Sequence, residues 1–266
     1  MKTHSSHLAF YQVDAFSKEA FSGNPAAVVP LSDWIDDNLM QQIALEKNLS
    51  ETAFIVPTDA GYHIRWFTPK VEVDLCGHAT LASAFTIFNY LDPEKERIVF
   101  DSRSGELIVW KEDGLLCMDF PTDQLTPVDV DQQIVNALKH QPIECFKGRD
   151  DILYVYDDAD TIINMTPDFN VLQAIDTRGF LVTAPGFDNY DFVSRGFFPI
   201  TGINEDPATG SAHTSLCPYW SKRLGKDTMQ ACQLSERKGY FTVVNKGERT
   251  LLKGEARIFA EGKIIL

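Results

Sequence analysis

Two stretches decide the fold when they are laid side by side. One is Phe67-Thr-Pro-Lys-Val-Glu-Val-Asp-Leu-Cys76-Gly-His-Ala-Thr-Leu-Ala-Ser-Ala84. The other is Phe198-Pro-Ile-Thr-Gly-Ile-Asn-Glu-Asp206-Pro-Ala-Thr-Gly-Ser-Ala-His213. Each enters through an aromatic residue and a proline, turns at an acidic residue, and runs into small residues that open an amphipathic stretch. Cys76 and Asp206 are 130 residues apart. Such self-similarity at a fixed period marks a duplicated structural unit.

Other pieces repeat in the same order. Asp101-Ser-Arg-Ser-Gly-Glu-Leu107 leads into an apolar alternation ending at Met118-Asp-Phe-Pro121. Leu234-Ser-Glu-Arg-Lys-Gly-Tyr240 does the same, ending at Ala256-Arg-Ile-Phe-Ala260, and Ser102 and Ser235 are 133 apart. Upstream, Asn38-Leu-Met-Gln-Gln-Ile-Ala44 precedes Ala53-Phe-Ile-Val-Pro57. Asn170-Val-Leu-Gln-Ala-Ile175 precedes Phe180-Leu-Val-Thr-Ala-Pro185, and Leu39 and Leu172 are again 133 apart. The length of 266 residues is close to twice that spacing.

The pattern predicts two α/β halves. Helices are expected around 32–47, 129–139 and 168–176, with a further helix after each small-residue turn. Leu81, Phe85 and Phe88 fall at i, i+4 and i+7, one face of a helix. Tyr62–Phe67 and Leu107–Trp110 alternate like strands of a mixed or antiparallel sheet. Pro121–Pro127, rich in Pro, Thr and Asp, reads as the linker. It divides the chain into residues 1–122 and 123–266, with a terminal strand free to cross over.

Composition narrows the function. Hydrophobic residues make up 44% and charged residues 23%, which excludes wholesale disorder. Twenty-four Lys and Arg against 38 Asp and Glu give a net charge of −14, which argues against nucleic acid or an anionic membrane as partner. Met1–His7 has no apolar segment of a secretory signal, and Leu75–Leu91 is too polar to span a bilayer. Five scattered cysteines with no C-x-x-C pair suggest neither a zinc site nor a disulfide framework. These readings point to a reduced, cytoplasmic protein.

Several residues can carry chemistry. Asp206 followed by Pro207 reads as an N-cap with proline at the first helical position. Thr209, Gly210, Ser211 and Ala212 keep the start of that helix narrow, and Cys76, Gly77 and His78 do the same for the first half. Two such helix N-termini facing one interdomain cleft would hold a carboxylate or an enolate-like oxygen; small residues there also serve plain helix–sheet packing. Glu51, in Asn48-Leu-Ser-Glu51-Thr-Ala-Phe54, enters an apolar strand, where desolvation would raise its pKa toward a general-base range. A solvated turn carboxylate is the commoner state. Cys76, at a helix start, has a dipole that lowers a thiol pKa; a small buried filler is the alternative. His213 and Cys217, at i, i+4, read as packing because no third metal ligand accompanies them.

Together these residues resemble the PhzF-like phenazine-biosynthesis family, whose fold is that of diaminopimelate epimerase. The matching pieces are Val13-Asp-Ala-Phe16, Phe21-Ser-Gly-Asn24-Pro25-Ala-Ala-Val28, Asn48-Leu-Ser-Glu51-Thr, Gly77-His78 and Asp206-Pro-Ala-Thr-Gly210-Ser211-Ala. The resemblance implies an α+β fold of two similar domains related by a pseudo-twofold axis, each a barrel-like sheet around a central helix, with the active site between them. It implies a homodimer and cofactor-independent isomerisation of a small carboxylate-bearing metabolite. Glu51 corresponds to the family's acid/base. His78 and Asp206 hold the substrate or assist proton transfer, and Ser50, Gly77, Gly210 and Ser211 lie near it. Related racemases place one cysteine at each small-residue turn. Here Cys76 faces Asp206 in the alignment, so a symmetric two-thiol mechanism is not expected. The competing readings are a two-base epimerase using Cys76 and a non-catalytic metabolite-binding protein. No metal and no cofactor are expected.

Overall fold

The structure, a computed structural model, describes residues 7–266. The stretch read for a secretory signal lies, up to Ser6, outside the described residues. No helix among the described residues is long and apolar enough to cross a membrane. The chain divides into two compact units. One holds residues up to Asp119 together with Gly254–Leu266, and the other is Phe120–Lys253.

The first unit begins with strands β1 (His7–Ala15) and β2 (Asn24–Pro30), followed by helix α1 (Asp37–Lys47), β3 (Glu51–Pro57), β4 (Tyr62–Phe67) and the short β5 (Glu72–Val73). Helix α2 (Gly77–Thr86) continues into a π-helical turn at Ile87–Leu91 and leads to β6 (Arg97–Ser102), β7 (Gly105–Glu112) and β8 (Leu115–Pro121). In the second unit come β9 (Thr126–Pro127), α3 (Gln132–Leu138), β10 (Glu144–Lys147), β11 (Asp151–Val155), α4 (Ala159–Asn164), α5 (Phe169–Gln173), β12 (Gly179–Pro185) and β13 (Phe192–Phe197). Helix α6 (Gly210–Leu224), β14 (Thr228–Gln233), β15 (Gly239–Asn245) and β16 (Arg249–Gly254) follow, and β17 (Ala256–Ile265) ends the chain.

Strand pairing repeats between the units. The first runs β17-β1-β2-β3-β4-β6-β7-β8, and the second runs β9-β10-β11-β12-β13-β14-β15-β16. In both orders the third and fifth pairings are parallel and all others antiparallel. Parallel neighbours need a crossover, and each crossover carries helix: α1 and α2 in the first unit, α4 with α5 and then α6 in the second. The fold is mixed α/β, as expected.

The last strand crosses over to the first unit. A division at 122/123 would leave β17 with the second half, yet it pairs with β1 from His7↔Ile265 to Ala15↔Ala256 and belongs to the first unit. Its partner lies at the other end of the chain, so no local pattern announces the pairing.

The buried cores follow from sequence. β2 and β3, NPAAVVP and ETAFIVP, are apolar on both faces, as strands covered on both sides must be. Helix α2 is buried at every position from His78 to Thr86 except Phe85, and it packs on β1, β2, β3 and β17. Its small residues permit this enclosure, and Thr80, Ser83 and Thr86 return their hydroxyls to backbone carbonyls four residues back. Helix α1 begins later than the expected residue 32, because Asp36 caps it by accepting from Asn38 N and Leu39 N.

Candidate active site

Four side chains of the first unit converge where β2 and β3 begin and α2 starts. Glu51 is the first residue of β3, directly after the α1–β3 turn. Its neighbour in the parallel register is Ala26, which puts it beside the start of β2. His78 is the second residue of α2, and its Nε2 lies 3.1 Å from Glu51 Oε2, an ion-pair distance. Both side chains are mostly buried, at 8% and 14% exposure. Glu51 Oε2 is buried and makes no hydrogen bond of good geometry, so an acceptor lone pair is held back from water.

The other ring nitrogen is also engaged. Asn24 Nδ2 lies 3.2 Å from His78 Nδ1, and Cys76 Sγ lies 3.5 Å from it. Ser50 Oγ donates to Asn24 Oδ1 over 3.4 Å. Gly77, half-buried, is the first residue of α2, and the Cys76 N-cap makes no side-chain capping bond. The first-turn N–H groups of α2 are thus not capped by their own N-cap residue.

Electrostatics corrects one expectation. The helix-start position does not lower the Cys76 thiol: burial, and then the Glu51 charge, push it up to about 11, beyond what His78 offsets. Burial alone would depress His78, but its acidic neighbours Cys76 and Glu51 raise it well above the usual imidazole value. One atom each of Glu51, Cys76 and His78 lie within 4.8 Å of one another, and by donor type the trio could hold a cation, which sequence reading had not anticipated.

The second unit carries Asp206, Gly210 and Ser211 around the start of α6. Here the expected N-cap is corrected. Helix α6 starts at Gly210 with Thr209 as N-cap, and Asp206 lies three residues before it. Asp206 Oδ2 instead accepts from the Thr209 hydroxyl. Aligned by helix starts, Cys76 therefore matches Thr209, 133 residues on, and not Asp206. The match extends to the next turn: Thr80 Oγ1 donates to the Cys76 carbonyl, and His213 Nδ1 bonds the Thr209 carbonyl. Gly210 is buried and Ser211 exposed, its hydroxyl 3.4 Å from the Arg178 guanidinium. Arg178 is itself paired with Asp151.

Two residues of these networks escaped the sequence reading. Gln233, 1% exposed, ties the Asp206 turn together: its Nε2 donates to the Asp206 carbonyl and its Oε1 accepts from Thr209 N. Asn24 was visible only as part of a motif, with no role. The pair His213 and Cys217 is buried packing, as expected. His213 stacks at 3.8 Å on Phe241, and burial lowers it to about 4.

Comparison with known proteins agrees with this architecture. The model of the family described as phenazine biosynthesis-like protein matches residues 13–262. An uncharacterized isomerase of Pseudomonas aeruginosa is 49% identical over 259 residues, 97% of this chain and 99% of that protein. A crystal structure of a PhzF-family phenazine biosynthesis protein from Enterococcus faecalis superposes with a TM-score of 0.95 at 46% identity, covering 98% of this chain and 100% of that one. A predicted epimerase from Pseudomonas aeruginosa shares the fold, with a TM-score of 0.77 at 18% identity and coverage of 97% and 99%. The chain therefore belongs to the phenazine biosynthesis-like family and is an enzyme of the isomerase class.

Proposed function

We propose that the enzyme moves a proton between two carbons of a small carboxylate-bearing metabolite, with Glu51 as general acid/base. One observation carries this reading: the buried Glu51 carboxylate, 3.1 Å from His78 Nε2, with Oε2 otherwise free of hydrogen bonds. A carboxylate oxygen with a free lone pair, shielded from water, is ready to accept a carbon-bound proton. The electron pair left on carbon moves into the substrate's conjugated system. Glu51 then returns the proton to a second carbon, so the step needs no external acid. His78 steadies the carboxylate, and Ser50, Gly77 and Cys76 border the pair. Asp206, Gly210 and Ser211 are assigned a substrate-holding role through the start of α6.

A two-base epimerase using Cys76 is disfavoured because burial and the Glu51 charge push its thiol up to about 11. A reducing cytoplasmic setting suits five cysteines that form no disulfide. A homodimer is proposed from the family resemblance.

The test is a screen of a bacterial small-molecule extract in heavy water. The enzyme should install carbon-bound deuterium in at least one carboxylate and convert it to a positional isomer. Deuterium gained with inversion at a single carbon, and lost in Cys76→Ser, would establish the epimerase instead. Saturable binding with no deuterium in any bound ligand would establish the binding protein.

A further inference from the structure

The motif Phe21-Ser-Gly-Asn24-Pro25 is not used by the proton transfer as described, yet its asparagine ends against the imidazole. Asn24 is fully buried and opens β2, held opposite Ala15 in the β1 register. The turn before it is built to fix this position. Gly23 has φ +75°, and a Cβ there would come within 2.4 Å of the Ala15 carbonyl oxygen, so only glycine fits. Ser17 Oγ and Ser22 Oγ lie 2.9 Å apart, and Ser22 Oγ also donates to the Glu19 carbonyl, which closes the loop on itself. The amide then has little freedom. Its Oδ1 accepts from Ser50, and its Nδ2 faces His78 Nδ1 at 3.2 Å.

An amide nitrogen can only donate. A ring nitrogen that accepts from it cannot carry a proton, and a neutral imidazole must then carry its proton on the other nitrogen. The other nitrogen is Nε2, the one facing Glu51. The Cys76 thiol, 3.5 Å from the same Nδ1, is a second donor on that side when it is protonated. Two donors on one side and a carboxylate on the other select a single tautomer. We infer that Asn24 is a positioning residue that fixes His78 as the Nε2–H tautomer, so that the ring turns its protonated nitrogen toward Glu51.

This inference rests on the acid/base reading of Glu51 and His78 for its consequence, but not for its test. Nitrogen-15 NMR of protein labelled at histidine reports the tautomer directly, and the spectrum of His78→Asn identifies the His78 signals. Above the raised pKa of His78, where the ring is neutral, Nδ1 should give the unprotonated type of signal and Nε2 the protonated type. Asn24→Asp keeps the shape but replaces the donor with an acceptor, so Nδ1 should change to the protonated type of signal. Asn24→Ala should show a mixture of both tautomers. A wild-type His78 whose neutral form carries its proton on Nδ1 overturns the inference, and needs no variant to fold. So do variants that leave the wild-type pattern in place. The heavy-water exchange is read on the same samples. A protonated Nδ1 in Asn24→Asp with unchanged deuterium incorporation would uphold the positioning role and refute the acid/base role of the pair.

Discussion

Cys76 shows how strongly one side chain's chemistry depends on its surroundings. By sequence position it is a reactive thiol at a helix start; in place it is buried beside a carboxylate, and the thiol rises to about 11. Iodoacetamide should therefore leave Cys76 unmodified at pH 7.5, as peptide mapping by mass spectrometry would check, with labelling appearing only as the pH approaches 11. His213 is the opposite case. It is fully buried, keeps a neutral ring, and sits at about 4 against about 6.5 when unfolded. Its native pKa is depressed, so the unfolded chain binds the extra proton between these values, and stability falls as pH drops through that window. Acidification from pH 6.5 to 5 should remove about 1.5 kcal/mol that His213→Gln does not lose, measured by urea unfolding at both pH values. The residue scale also marks the limit of sequence reading. By position alone Glu51 was one candidate, where a helical pattern gives way to an apolar strand, and the family resemblance singled it out. The role of Asn24 was not legible, because the histidine it serves is 54 residues away.

At the scale of elements, helix starts and stops carry much of the organisation. The small residues that open α2 and α6 were visible in the sequence, but the N-cap of α6 is Thr209 and not Asp206. Asp206-Pro207 has the composition of an N-cap and first helical residue, yet Gln233 and Thr209 hold it in a turn before the helix. A partner 27 residues downstream thus overrides a local signal. Further along α6, Pro218 has no N–H to return to the Thr214 carbonyl. The freed carbonyl accepts from Asp123 N at 3.1 Å, and the Asp123 carboxylate accepts from Ser215 Oγ at 2.7 Å. The Pro121–Pro127 segment is therefore anchored on the helix and is not a free linker. Asp123→Ala should cost about 1–3 kcal/mol, since it leaves the Ser215 hydroxyl and the Arg149 N–H without an acceptor. Chemical denaturation of the variant checks this.

For the whole molecule, the repeat was legible. Offsets of 130–133 residues foretold two units, and each has the same order and sense of strand pairing. The last strand, β17, completes the first unit from the far end of the chain. Deleting residues 256–266 would expose the edge of β1 along all nine of its residues. The truncated chain should aggregate, appearing in the void volume of a sizing column, whereas the intact protein elutes as a defined species. The decisive measurement is the rate at which carbon-bound deuterium forms from the exchanging metabolite in heavy water, for wild type against Glu51→Gln. General acid–base assistance supplies about 10²–10⁴-fold, so a folded Glu51→Gln enzyme should be slower by at least about a hundredfold. A rate near that of wild type would contradict the account.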